Sequence, residues 1–220
     1  MGIPRNALTA ALAIIVMTVL LGVIYPLAIT GISQVAFPGN ANGQKVYVNG
    51  KLVGSKIIGQ QFATPVFKNG KPVEEEGVPV TTPDPRYFQT RPSATVPPDN
   101  AAATTFSNLG PNNKRAEEEI AANIKAYLEL NKPYDPGLST ANVPVDAADS
   151  SASGIDPEIS QVNARIQAHR VAAIRHLPLT QVMGLISKYT NGRSLGIFGE
   201  PGVDVLEVNL ALDRLTGGTN

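Results

Sequence analysis

The chain has no cysteine and no tryptophan, and its 18 basic residues balance its 18 acidic ones. Without cysteine there is no disulfide framework, no thiol nucleophile and no thiolate metal site. That absence is compatible with either side of a bacterial membrane and settles no compartment. A balanced charge leaves no electrostatic footprint for nucleic acid, so none is expected as a partner. Histidine occurs only at His169 and His176, seven residues apart. No third ligand accompanies them at metal spacing, and they read as surface groups. Glycine and proline (20 and 18 residues) stay below the ~25–30% of low-complexity chains. What remains is material for one loop-rich globular domain.

A local absence overrides those averages. No charged residue occurs between Asn6 and Gln44. The apolar run Leu8 to Thr30 is long enough, as a helix, to cross a ~30 Å hydrocarbon core. A cleaved signal peptide is the rival reading, but its apolar region spans only ~7–15 residues. A permanent single-span anchor is therefore expected over residues 7–36, after a short tail at 1–6. Arg5 precedes the span while Lys45, Lys51 and Lys56 follow it, so charge counting gives no orientation.

The span is not uniform. Gly22, Pro26 and Thr30 recur every four residues, and Ser33 follows three further on, giving one small or polar stripe. Pro26 lacks an N–H, which leaves the Gly22 carbonyl without its usual partner and predicts a kink. Such defects are tolerated where neighbouring helices satisfy the backbone, and small residues allow close approach. The stripe, with Tyr25 near the interface, is thus a candidate packing face for other membrane helices; a kinked lone anchor is the alternative.

Beyond the span, residues 37–220 predict one loop-rich soluble domain of α+β type, with a β-hairpin and several helices. Val46 and Val48 alternate before Asn49-Gly50, the dipeptide favoured in type I′ turns, so a hairpin is expected there. Asn69-Gly70 echoes it weakly, as an edge hairpin or a loop, because Pro72 and Pro79 flank the acidic run Glu74 to Glu76. That run reads as a solvated face. Residues 81–113 form a long turn-rich stretch, and such ordered loops are more often functional than idle. A helix is predicted from Lys114 to Asn131 with a buried stripe of Ile120, Ile124, Tyr127 and Leu128. Another is predicted from Leu179 to Thr190, stopped by Asn191-Gly192. The end is ambiguous between strand and helix; Asp204 with Glu207 has capping-box spacing and favours helix.

The stretch SSASGIDPEISQ (150–161) is hydroxyl-rich and feeds an apolar-periodic run, as phosphate-holding loops do. A phosphate cradle wants bare N–H groups with a lysine nearby, yet lysine is absent between 133 and 187. Asp156 instead fits the N-cap, Pro157 the first helical position and Glu158 the first turn, all preferred types for starting a helix. Both carboxylates would repel an anion. A capped helix start is the expectation. No G-x-x-x-x-G-K-[ST], G-x-S-x-G or H-E-x-x-H motif exists, and no catalytic, cofactor-binding or metal-binding residue is identifiable by spacing.

Several segments, taken in order, resemble one family. They are YPLAITGISQ (25–34), FPGNANG (37–43), GSKIIGQQF (54–62), YFQTRPSA (87–94), DNAAA (99–103) and SNLGP (107–111). VPVD (143–146), SGIDPEIS (153–160), QAHRVA (167–172) and TNGRSLGIFGEPGVDVLEVNLALD (190–213) follow. The chain resembles the C subunit (KdpC) family of the bacterial potassium-transporting Kdp P-type ATPase along nearly its whole length. Relative to shorter members, 63–84 looks like an insertion. Phe106 stands where a small residue is usual, Glu158 where histidine is common, and Gly202 and Asp204 where arginine and asparagine are common.

The resemblance implies a non-catalytic accessory chain of an inner-membrane potassium-uptake complex. Its implied partners are a potassium-channel-like subunit and a P-type ATPase subunit, with a further small single-span subunit as a third candidate. Potassium would be handled by the complex. ATP enters only through the family's description as a catalytic chaperone that raises the ATPase subunit's nucleotide affinity. The implied orientation places the N-terminus in the cytoplasm and the soluble domain outside it, where ATP is scarce. A cytoplasmic chaperone forming a ternary complex with ATP, and an independent membrane-anchored binding domain, are the two alternatives.

Overall fold

The unbroken apolar run folds as expected into helix. The computed structural model describes residues 4–75 and 77–217. Helix α1 (Arg5–Val19) passes through a π turn (Leu20–Ile24) into α2 (Tyr25–Ala36). Together they make a 32-residue helix, Arg5–Ala36, apolar enough to span a membrane and nowhere buried. At 1.5 Å per residue it is about 48 Å long, more than the ~30 Å core requires. The π turn answers the proline. Pro26 offers no N–H and its ring crowds the Gly22 carbonyl, so the preceding turn widens and the Tyr25 N–H reaches back to the Leu20 carbonyl. A short α3 (Pro38–Ala41) ends this segment.

The chain divides into two units, one ending at Val53 and one beginning at Gly54. Strands β1 (Lys45–Val48) and β2 (Lys51–Ser55) form the expected hairpin. Asn49 (φ 50°) and Gly50 (φ 78°) both adopt the positive φ that a type I′ turn needs.

The segment 63–84 is a junction of hairpins. Strands β3 (Ala63–Pro65) and β8 (Thr81–Pro83) pair as its stem. Within it, β4 (Phe67–Lys68) pairs with β5 (Lys71–Pro72), and β6 (Glu74–Glu75) with β7 (Val78–Pro79). The second Asn-Gly is therefore a true hairpin turn, with Asn69 at φ 53° and Gly70 at φ 76°. Where the three pairs meet, the Val66 N–H donates to the Val80 carbonyl, Val73 to Val66 and Val80 to Val73, each at 2.8 Å. Every junction carbonyl and N–H is thereby satisfied without a water or a side chain. Of the acidic run, Glu74 and Glu75 are exposed, and Glu76 lies outside the described residues.

Helix α4 (Lys114–Asn131) starts at Asn113, whose side chain accepts from the Arg115 N–H. Its inward side runs through Ile124, Tyr127, Leu128 and Asn131, while Ile120 is 37% exposed and leaves the predicted stripe. A 3₁₀ turn (Thr140–Asn142) and α5 (Val145–Ala148) lead to β9 (Glu158–Ser160), α6 (Gln161–Arg175) and α7 (Leu179–Lys188). Thr190–Asn191 forms β10 rather than the end of α7, because it pairs with β11 (Gly202–Asp204), which feeds α8 (Val205–Thr216). The sheet order is β10-β11-β9, antiparallel, with Val203 opposite Ile159.

The core lies between this sheet and α6, α7 and α8, around Ile159, Val171, Val182, Val203, Val208 and Leu212. Helix α6 is central. Ala164, Ala168 and Ala172 keep its side thin enough for close packing, and burial reaches Asn163, Gln167 and Arg170 as well. Phe88, from the turn-rich stretch, is the largest apolar side chain with no exposure at all. Its burial contributes roughly 2–3 kcal/mol. Its N–H and carbonyl are both bonded to the Asn209 amide at 2.9 Å, so a buried loop backbone is still satisfied.

Candidate functional site

The loop 150–160 does not start a helix at Asp156. Glu158–Ser160 is a strand, and the N-cap of α6 is Ser160, whose hydroxyl accepts from the Asn163 N–H at 3.1 Å. The correction to Asp156, Pro157 and Glu158 has a non-local cause. Pairing of Ile159 with Val203 requires extended backbone where Asp-Pro-Glu would locally favour a helical turn.

Each of the three residues has another task. Asp156 accepts the Glu158 N–H at 3.1 Å and pairs with Arg91 at 3.1 Å. The Pro157 carbonyl accepts the Val205 N–H at 3.0 Å. Glu158 accepts from the Asn191 amide at 2.6 Å.

Two serine hydroxyls of the same loop are engaged within it. Ser151 is buried and its hydroxyl accepts the Gly154 N–H; Ser153 accepts the Ile155 N–H. The Ser151 N–H bonds to the Pro92 carbonyl. Among the described residues no group of three His, Asp or Glu side chains is placed to hold a metal ion. His169 is half-buried in α6, and His176 is the exposed left-handed residue that ends it, so the two do not share one continuous helix.

The turn-rich stretch carries a dense set of polar contacts. The Gln89 N–H donates to Gln167 Oε1 at 2.8 Å, and the Gln89 carbonyl accepts from Gln167 Nε2 at 3.1 Å. Arg170, with no exposure, donates to the Tyr87 carbonyl at 2.7 Å and to Gln167 at 3.0 Å, while its Nε and Nη1 have no partner. Burial pushes its guanidinium down to about 10. Tyr87 packs against Phe62 at 5.2 Å and under the Arg175 guanidinium at 4.5 Å. Arg175 is held in turn by Asp213 at 2.8 Å and by the Arg86 carbonyl at 2.7 Å. Asp99, held by Thr90 at 3.1 Å, is raised to about 6, chiefly by burial.

Between this stretch, α4 and α6 lies a groove of about 320 Å³. Its rim carries Pro83, Pro98 and Ala126, all exposed, and its floor the buried Asn131, Asn163 and Gln167. The arrangement offers hydrogen-bond donors and acceptors, among them the Thr90 hydroxyl that donates to Asp99.

In the span, Tyr25, Pro26 and Thr30 are exposed and Ser33 half-exposed. Pro26, Thr30 and Ser33 lie on regular helix and share a face. Gly22 lies inside the π turn, where the four-residue register of an α-helix does not hold. A Cβ on Gly22 would meet only the Thr18 methyl, at 3.8 Å, so the space above it is open.

The family model described as "K+-transporting ATPase, c chain" (KdpC) matches residues 7–214. The chain belongs to the KdpC family. It is 43% identical over 207 residues to the potassium-transporting ATPase KdpC subunit of Methylococcus capsulatus, covering 94% of this chain and 96% of that one. To the KdpC subunit of Mycobacterium bovis it is 42% identical over 212 residues, 96% and 99% of the two chains. The KdpC subunit of Herpetosiphon aurantiacus is 44% identical over 207 residues, 94% of each. Phe106 is 52% exposed. Glu158 and Gly202 are in direct contact.

Proposed function

We propose that this chain is a non-catalytic accessory subunit of a potassium-transporting P-type ATPase complex. Anchored by one span in the bacterial inner membrane, it stabilises the association of an ion-pathway subunit with the ATPase subunit. The observation that carries this reading is the span, an apolar helix with an open Gly22 and a π turn before Pro26, features suited to neighbouring helices. The soluble unit adds recognition surface rather than chemistry, and it needs no resident cofactor for this role. Potassium passes through its partners.

The soluble unit faces away from the cytoplasm in this reading. An extracytoplasmic subunit still alters the ATPase's affinity for nucleotide if it binds one conformation better than another, because coupling between sites is reciprocal in free energy. Against direct ATP contact stand the internal bonds of loop 150–156 and the carboxylate of Asp156.

Purification through a C-terminal tag in mild detergent tests the reading. It predicts recovery of a P-type ATPase and a large channel-like chain; a solitary protein would leave only a membrane-anchored binding domain. Orientation is tested with one introduced cysteine, since the chain has none. Ser151 is 3% exposed and unsuitable, whereas Ala152 is exposed. Ala152→Cys is expected to react with a membrane-impermeant thiol reagent in cells whose outer membrane alone is permeabilised. Reaction only after rupture of the inner membrane would place the unit inside and revive direct ATP binding.

A further inference from the structure

The π turn relocates the deficit that Pro26 creates. In a regular α-helix the Leu21 carbonyl accepts from the Tyr25 N–H, four residues on. Here the Tyr25 N–H reaches only the Leu20 carbonyl, five residues back. Five residues beyond Leu21 stands Pro26, which has no N–H. The Ile24 N–H, inside the same π turn, is directed five residues back as well and so away from Leu21. Gly22 still has the Leu27 N–H at the π spacing, whereas Leu21 has a donor at neither spacing. Side chains of its own helix do not help. A Ser or Thr hydroxyl bonds back to a carbonyl three or four residues earlier, and the positions in question hold Ile24 and Tyr25, with no hydroxyl on Cβ.

Depth and access give that carbonyl a consequence. Leu21 stands at the middle of the Arg5–Ala36 helix, none of whose residues is buried. In the accessory-subunit reading, on which this inference rests, the middle of the helix lies in hydrocarbon, where neither bulk water nor lipid headgroups donate. An acceptor left bare there is costly, and the cost is removed only by a donor that another protein segment brings. The way in is open. The carbonyl belongs to the peptide bond that joins Leu21 to Gly22, and Gly22 has no side chain to cover it. Even a Cβ at that position would meet only the Thr18 methyl, at 3.8 Å. A neighbouring helix can therefore approach the backbone closely at this point.

We propose that the Leu21 carbonyl accepts a hydrogen bond from a neutral side chain, a Ser or Thr hydroxyl or an Asn or Gln amide, on a membrane helix of another subunit of the ATPase complex. The acceptor fixes the partner's chemistry. It needs a hydrogen, which apolar side chains and lipid tails do not offer, and a Lys or Arg at that depth would add the cost of burying its own charge.

The test uses the intact complex in detergent, with a photoreactive benzophenone amino acid in place of Thr18, one turn before Gly22 on the same side of the helix. Irradiation should cross-link position 18 to a helix of another subunit, at a turn that carries Ser, Thr, Asn or Gln. That donor is then replaced by an apolar residue of similar size (Ser by Ala, Thr by Val, Asn or Gln by Leu), once beside the parent chain and once beside Pro26→Ala. Pro26→Ala returns an N–H at position 26, so the helix closes on itself and Leu21 regains Tyr25. Loss of the donor should speed dissociation of this chain from the complex roughly two- to tenfold beside the parent, and less than about twofold beside Pro26→Ala. Equal effects in both backgrounds overturn the proposal. So does an intact complex in which position 18 reaches only lipid, detergent or a second copy of this chain, or a helix without such a donor. A chain that co-purifies with no other subunit removes the accessory reading itself, and this contact with it.

Discussion

The side chain of Glu158 lies across Gly202. A Cβ built at position 202 would stand 2.8 Å from Glu158 Cδ and 3.0 Å from its Cβ, with the carboxylate oxygen closer still. Strands β9 and β11 set this up by placing Gly202 opposite Ser160 and Asp204 opposite Glu158. Glu158 thus occupies the room that a side chain at position 202 would need.

Gly202→Ala is therefore expected to destabilise the soluble unit by about 1 kcal/mol, the cost of swinging the Glu158 carboxylate off its hydrogen bond with Asn191. With Glu158→Ala in the same chain the total loss should fall short of the sum of the single losses. Chemical denaturation of the four proteins measures that coupling; strict additivity would mean the contact carries no energy.

Asp204 caps α8 by accepting the Glu207 N–H at 2.8 Å, but its Oδ2 is buried without a partner. Burial raises its carboxyl from 3.8 to about 6, with Glu207 and Glu158 adding to the rise. The folded state therefore holds a proton more tightly than the unfolded chain. Its contribution is complete below pH 3.8 and is lost as pH rises through about 6. Asn at this position caps equally well and carries no charge. The stability of Asp204→Asn relative to the parent should rise between these pH values and level off above them, read from denaturant midpoints across that range. A constant difference at every pH would refute the assignment.

Ser160→Ala should cost more than Asp156→Ala. Ser160 caps α6 and donates to Asp146 at 2.9 Å, so about 1–2 kcal/mol is at stake. Asp156 loses a half-exposed ion pair worth ~0–1 kcal/mol and the hydrogen bond it accepts from the Glu158 N–H within a loop, where no helix depends on it. Urea midpoints of the two variants give the order, and a larger loss for Asp156→Ala would restore it as the principal cap.

Gly22→Leu fills the open space beside the π turn. The expected result is reduced co-purification of partner subunits at unchanged expression, because a bulky residue separates packed helices. Undiminished recovery would exclude this face from assembly.

How far the sequence anticipated these features depended on distance along the chain. Asn49-Gly50 and the Asp204–Glu207 cap are local signals, and both elements formed where those signals stand. The long apolar helix was equally plain, since one apolar run determines it. Asp156-Pro157-Glu158 misled because its local preference yields to pairing with residues more than forty positions away. Thr190–Asn191 left α7 for the same sheet. The groove was illegible, being assembled from the turn-rich stretch and two separate helices. One signal for it was present: Asn163, Gln167 and Arg170 follow each other at helical spacing beside Ala164 and Ala168, an amide-rich side that a solvated helix would not need.

The hairpin junction at 63–83 has a practical consequence. Ala63 and Pro83 face each other across an antiparallel pair, so the segment leaves and rejoins the chain at neighbouring points, about 5 Å apart. Its internal hydrogen bonds close among Val66, Val73 and Val80. The segment is thus an appendix in the mechanical sense: a two-residue turn could replace what lies beyond the stem, and a foreign hairpin or epitope could be grafted there.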